Sequence, residues 1–173
     1  GVKKAFDICF SNMVLNNLTL KLGKEYDDKG IIAKTNNINF DLLNNLLKLD
    51  FKYKSLGIEI CQNNVIPLLD NSRDSIENKI ATFTEYMAIK ISNFISENST
   101  VLITGGGAFN NYLISLIKEK SKAKINLSDT KLINFKEALI FAFLGVLKNE
   151  NIPNCLASVT GAEYDNIGGV IVD

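Results

Sequence analysis

The chain has no histidine and no tryptophan, only two prolines and three cysteines among 173 residues. Without histidine, these residues can form no Ser-His-Asp or Cys-His nucleophile pair, no imidazole acid–base catalyst and no imidazole metal site. Cys9, Cys61 and Cys155 are far apart and odd in number, so they make neither a zinc nor a redox spacing. They read as reduced thiols, as expected of a cytoplasmic protein. No metal site is expected. An excess of charge is also missing: 19 basic residues balance 19 acidic ones, and the pI is near 6.5. No summed field points to nucleic acid or to an anionic membrane surface. There is no apolar run long enough to span a bilayer, and the N-terminal residues hold no signal-peptide core.

What is present is a globular composition, 46% hydrophobic and 22% charged. The length suits one domain with a core, or one lobe of something larger. Asparagine is abundant, with 22 residues, but it is scattered and forms no tract. Along the chain, Ser11–Gly23 has helical apolar spacing, with Ser11 or Asn12 as its cap and Gly23 as its end. Phe40–Leu49 is a short helix of the same kind. A long helix starts at Ser72 or Asp74 and carries Ile76, Ile80, Phe83, Met87, Ile91 and Phe94 on one face. "TVLIT" (Thr100–Thr104) reads as a central parallel strand, "NNYLISLIKEK" as a helix and "KINLS" (Lys124–Ser128) as a second strand. Asn134–Glu150 is an apolar helix expected to be buried, and "GGVIVD" (Gly168–Asp173) a closing third strand. The alternation predicts an α/β fold, helix-rich, with a small mixed sheet.

One junction carries chemistry. In "VLITGGGAFNNYL" a strand meets a helix through Gly105, Gly106 and Gly107. Glycines let main chain approach a ligand, and N–H groups at a helix start favour polar or anionic groups. The spacing is neither the dinucleotide fingerprint nor a Walker loop. From these residues alone, a tight turn with close helix–strand packing serves as well as a nucleotide site. In open α/β sheets ligands sit beyond the carboxyl ends of strands, so an exposed turn at that end is the expectation.

"VLITGGGAFNNYL" resembles the "GGGAHN" segment of the anhydro-N-acetylmuramic acid kinases, of the sugar kinase/Hsp70/actin superfamily. "FDICFSN" (Phe6–Asn12) resembles the family's "FDTGPGN" and, as there, precedes a helix and "GKEYDDKG". "KSLGIE" (Lys54–Glu59) resembles "KSTGRE", and "FKEALIFAFLGVL" with "SVTGA" (Ser158–Ala162) resembles the closing helix and strand region. The match runs along essentially the whole chain but to the C-terminal half of the family only. The "GTSMDGID" phosphate loop of the other half is not in these residues.

The resemblance implies a single C-terminal lobe, residues 1–173, of a two-lobed kinase. That lobe is the RNase H-like lobe of the actin-like ATPase fold, and alone it is expected to be inactive. The implied reaction uses ATP and water to convert 1,6-anhydro-N-acetylmuramic acid to N-acetylmuramic acid 6-phosphate in cell-wall recycling. Mg2+ would be held mainly by the other lobe. Asp7 matches the acid that activates the water; without the resemblance it reads as a helix cap. Gly105, Gly106, Gly107 and Ala108 match the adenosine turn. Asn110 either bonds nucleotide or sugar, or caps the next helix. Asn12, Glu59 and Glu137 match sugar-side positions. For Glu59 the alternative is a surface ion pair, and for Glu137 an exposed helix rim. Three departures stand out: "CFSN" for "GPGN", Ile58 for an arginine and Phe109 for a histidine. A degenerate, non-catalytic nucleotide-binding lobe is the second reading, and a homodimer is left open.

Overall fold

The computed structural model describes residues 2–51 and 55–172. Lys54, which opens the "KSLGIE" segment, and Asp173, which ends the expected third strand, lie outside the described residues. The chain divides into two compact units, one of Asp7–Ser128 and one containing residues 2–6 and 129–172.

In the larger unit, α1 (Asn12–Leu20) buries Val14, Leu15 and Leu18, the 3–4 spacing that puts one apolar stripe on the core. Ser11 stands at its N-cap without a side-chain bond, and Gly23 follows the end at φ +71°. A 3-10 turn (Asp28–Gly30) then leads into α2 (Ile31–Thr35). The Asp27 carboxylate accepts from the Ile32 N–H at 2.8 Å and the Ala33 N–H at 3.0 Å, satisfying donors that a short helix leaves unpaired. α3 (Phe40–Leu47) is capped by Asn39, whose side chain accepts from the Leu42 N–H. α4 (Ile58–Ile60) passes through a π turn (Cys61–Val65) into α5 (Ile66–Asn71). Pro67 sits at the start of α5 and has no N–H to give the preceding turn, which accounts for the widened turn before it.

α6 (Ile76–Phe94) is the centre of this unit. Ser75 caps it by accepting from the Asn78 N–H, and every residue from Lys79 to Ala88 is buried. Burial is therefore all round, because α1, α2, α3 and α7 pack on it. Phe94, expected on its inward face, is exposed at the C-terminal end. β1 (Thr100–Ile103) and β2 (Lys124–Leu127) pair in parallel, Thr100 opposite Lys124 through Ile103 opposite Leu127. α7 (Asn111–Lys120) is the crossover between them.

In the smaller unit, α8 (Thr130–Asn149) is capped by Asp129, which accepts from the Leu132 N–H at 2.8 Å. α9 (Ala157–Thr160) ends at Gly161, φ +80°, within the "SVTGA" segment. Cys155 and Asn166 form an antiparallel bridge. Asn154 fastens it, accepting from the Gly168 N–H at 2.7 Å and donating to the Leu144 and Gly168 carbonyls.

Several expectations are corrected. Among the described residues the sheet is two parallel strands, so it is not mixed. β1 is not a fully buried central strand, because Leu102 is exposed. Gly168–Val172 forms no strand: it is apolar, but Gly169 turns the backbone to φ +92°, and the Gly168 N–H and C=O bond the Asn154 side chain rather than a neighbouring strand. α8 begins four residues before Asn134 and buries none of its side chains. Phe135, Phe141 and Phe143 are each more than half exposed. An apolar pattern records a demand for burial, and the few elements of this unit are too small to meet it for a 20-residue helix.

Candidate functional site

The three glycines answer to two different causes. Gly105 ends β1 with φ +82° and ψ 176°, a backbone region that a side chain does not reach without strain. Gly106 and Gly107 are not at positive φ, and a Cβ on them would make ordinary contacts only: 3.4 Å to Asn12 Nδ2 from Gly106, and 3.8 Å to Asn12 Oδ1 from Gly107. The protein does not force glycine there. What their missing side chains create is space.

That space is part of a cavity of about 650 Å³ at the C-terminal end of β1. Asn12, Leu15 and Asn16 of α1 line one wall. Tyr26, Asp27, Asp28 and Lys29, before α2, line a second, and Gly106, Phe109, Asn110 and Asn111 a third. The turn Gly106–Phe109 is one 3-10 turn with Ala108 buried beneath it, and it hands over to α7. Asn110 is buried and its Oδ1 accepts from the Leu113 N–H at 3.0 Å. It is thus the N-cap of α7, the second of its two expected roles, while also lining the cavity.

The predicted residues do not all meet. Asn12, Gly106 and Asn110 share the cavity, with Gly107 beside Asn12. Asp7 is exposed and lies outside the cavity lining. It does not cap α1, which starts five positions later; instead its Oδ2 accepts from the Leu56 N–H at 2.7 Å. This bond joins "FDICFSN" to the described part of "KSLGIE". Glu59 is exposed on α4, its carboxylate turned back so that a Cβ on Gly57 would stand 3.0 Å from Oε2. Among the described residues it makes no ion pair. Glu137 is exposed on α8 of the smaller unit.

Asn16, Tyr26 and Asp28 were missed as site residues. For Tyr26 and Asp28 the signal was the segment "GKEYDDKG", which reads as a turn and only in three dimensions faces the glycine turn, while Asn16 lies on α1 one turn after Asn12. Cys9 offers no nucleophile here. Burial pushes its thiol from 9.0 up to about 11, although the nearby Lys90 pulls it down, so the thiolate is scarce at neutral pH. Among the described residues no three acid or cysteine side chains cluster closely enough to hold a metal ion. No described helix is long and apolar enough to cross a membrane.

The molecule is thus a helix-rich α/β protein whose strand–glycine–helix junction opens onto an amide-lined cavity. The family model for anhydro-N-acetylmuramic acid kinase matches residues 2–173, and the chain belongs to that family. An anhydro-N-acetylmuramic acid kinase from Saccharophagus degradans is 30% identical over 86% of this chain and 44% of its own length. The one from Mannheimia succiniciproducens is 29% identical over 96% of the chain and 50% of its length. That of Clostridioides difficile is 32% identical over 96% and 48%. The chain spans about half the length of the curated relatives it matches.

Proposed function

We propose that this chain is the nucleotide-holding lobe of an anhydro-N-acetylmuramic acid kinase, an RNase H-like lobe of the actin-like ATPase fold. The observation that carries the reading is the cavity at the end of β1, where Asn12 of "FDICFSN" meets Gly106 and Asn110 of "VLITGGGAFNNYL". In the proposed reaction, water bonds to C1 of the muramic sugar as the C1–O6 bond of the 1,6-anhydro ring breaks, and the freed O6 takes the γ-phosphoryl group of ATP, with ADP as the leaving group. Asp7 acts as the base that removes the water proton. Its geometry supports this: one carboxylate oxygen is fixed by the Leu56 N–H, and the side chain remains exposed, so the other oxygen can face a substrate. Asn12, Glu59 and Glu137 contribute sugar contacts. Mg2+ fits no cluster among the described residues.

The test uses the full-length protein. Gly106→Val fills the cavity without backbone strain, since Gly106 is not at positive φ and the added Cβ meets only Asn12. ATP binding, followed by calorimetry, should be lost while the thermal unfolding midpoint holds. Unchanged ATP affinity would overturn the assignment. Turnover of the anhydro sugar to a 6-phosphate, measured on the unaltered protein, tests the reaction separately.

A further inference from the structure

Two aromatic rings stand on the cavity wall with no packing role that explains them. Tyr26 is 58% exposed and Phe109 is 45% exposed. Both line the same cavity, and neither ring contacts the other or any other described ring. Exposed aromatic surface is unfavourable unless something covers it, and a π face is the surface on which a planar base stacks. The charges lining the cavity argue against the phosphates as its occupant. Among the described residues Lys29 is the only cation on its wall, against two carboxylates, Asp27 and Asp28. Asp27 is already occupied by the Ile32 and Ala33 N–H groups. The remaining polar lining is neutral amide, from Asn12, Asn16, Asn110 and Asn111. An asparagine amide matches the donor–acceptor edge of adenine, giving its oxygen to N6–H and its N–H to a ring nitrogen.

Resting on the nucleotide reading above, we infer that Phe109 and Tyr26 flank the base of a purine nucleoside whose polar edge meets the amides of Asn16 and Asn111. The triphosphate then lies outside this cavity. The chain thus holds the base through rings supplied by two different loops.

The experiment is calorimetric titration of the full-length protein with ATP, adenosine and inorganic triphosphate. Phe109→Ala and Tyr26→Ala should each weaken ATP and adenosine about tenfold, within the range of about 1–3 kcal/mol per stacked base. Triphosphate affinity should not move. Phe109→Tyr should restore binding, and Phe109→Leu, which keeps apolar volume without a ring, should not. Both residues are surface-exposed, so the unfolding midpoint should hold and a folding loss would show as a shift in it. If wild-type protein bound no ATP, the nucleotide reading itself would fail. If it bound ATP and both alanine variants bound equally well, the nucleotide reading would stand and the ring clamp would be wrong. Recovery with Phe109→Leu would likewise overturn stacking, leaving apolar volume as the cause.

Discussion

Gly30 lies hard against Asn110. A Cβ on Gly30 would collide with the Asn110 side-chain oxygen and stand 2.7 Å from Tyr112 Cβ, and Gly30 is itself left-handed at φ +75°. That oxygen is the one capping α7 through Leu113. The contact therefore presses the Tyr26–Gly30 loop onto the helix start and sets the width of the cavity between them.

Gly30→Ala should be strongly destabilising. Positive φ and a clash against a fixed cap and a Cβ act together, for a cost of roughly 2–4 kcal/mol. Urea unfolding should show the midpoint falling. A change under half a kilocalorie would mean that the loop can move away from α7.

Lys29 precedes it at φ +55°, a left-handed position held by a residue with a Cβ. Lys29→Gly removes that strain but adds backbone entropy to the unfolded chain. The net effect should be a gain of about 0.5–1 kcal/mol. A loss of stability would show instead that the lysine side chain makes a compensating contact.

Asp74 should make the larger unit acid-sensitive. Its carboxylate accepts from the Asn78 amide at 2.7 Å, the Asn39 amide at 3.0 Å and the Ser75 N–H at 2.9 Å. The Asn78 bond chiefly holds it below its ordinary value of 3.8, with Asn39, Ser75 and Lys79 assisting against partial desolvation. A carboxylate depressed in the folded state binds fewer protons folded than unfolded. Its contribution is complete above about pH 4 and is lost as pH falls through the folded value. The stability difference between wild type and Asp74→Asn should therefore shrink below that pH. A difference constant from pH 7 to pH 2.5 would remove Asp74 from the acid response.

Asp7→Asn in the full-length protein tests the proposed base. Its carbonyl oxygen can still accept from the Leu56 N–H, so the loop should stay in place. kcat should fall by roughly 10²–10⁴-fold with ATP affinity unchanged. Glu59→Gln, on an exposed turn, is the comparison and should cost much less. Near-normal kcat for Asp7→Asn would move the base to another acid, Glu137 being the next candidate. Loss of folding would make the Leu56 bond the reason for the aspartate.

The sequence alone determined the parts whose causes are local. The glycine junction, the apolar strand before it, the cap of α7 at Asn110 and the apolar face of α1 follow from spacing and cap chemistry within a few residues, while the long helix expected to start at Ser72 or Asp74 is capped by Ser75. The family resemblance was legible for the same reason: it lies in short contiguous motifs. Tertiary structure alone decided what those motifs meet. That Tyr26 and Asn16 share a cavity with Phe109 depends on α1, the Gly30 loop and α7 converging, and residues roughly 80–95 positions apart leave no periodic trace of such an encounter. Asp7 binding Leu56 across 49 positions is of the same kind. The misread elements have the converse cause. α8 and the Gly168–Val172 segment carry apolar patterns that ask for a partner surface. Hydrophobicity specifies that a residue needs covering, while strand pairing and burial require that another element be there to do it.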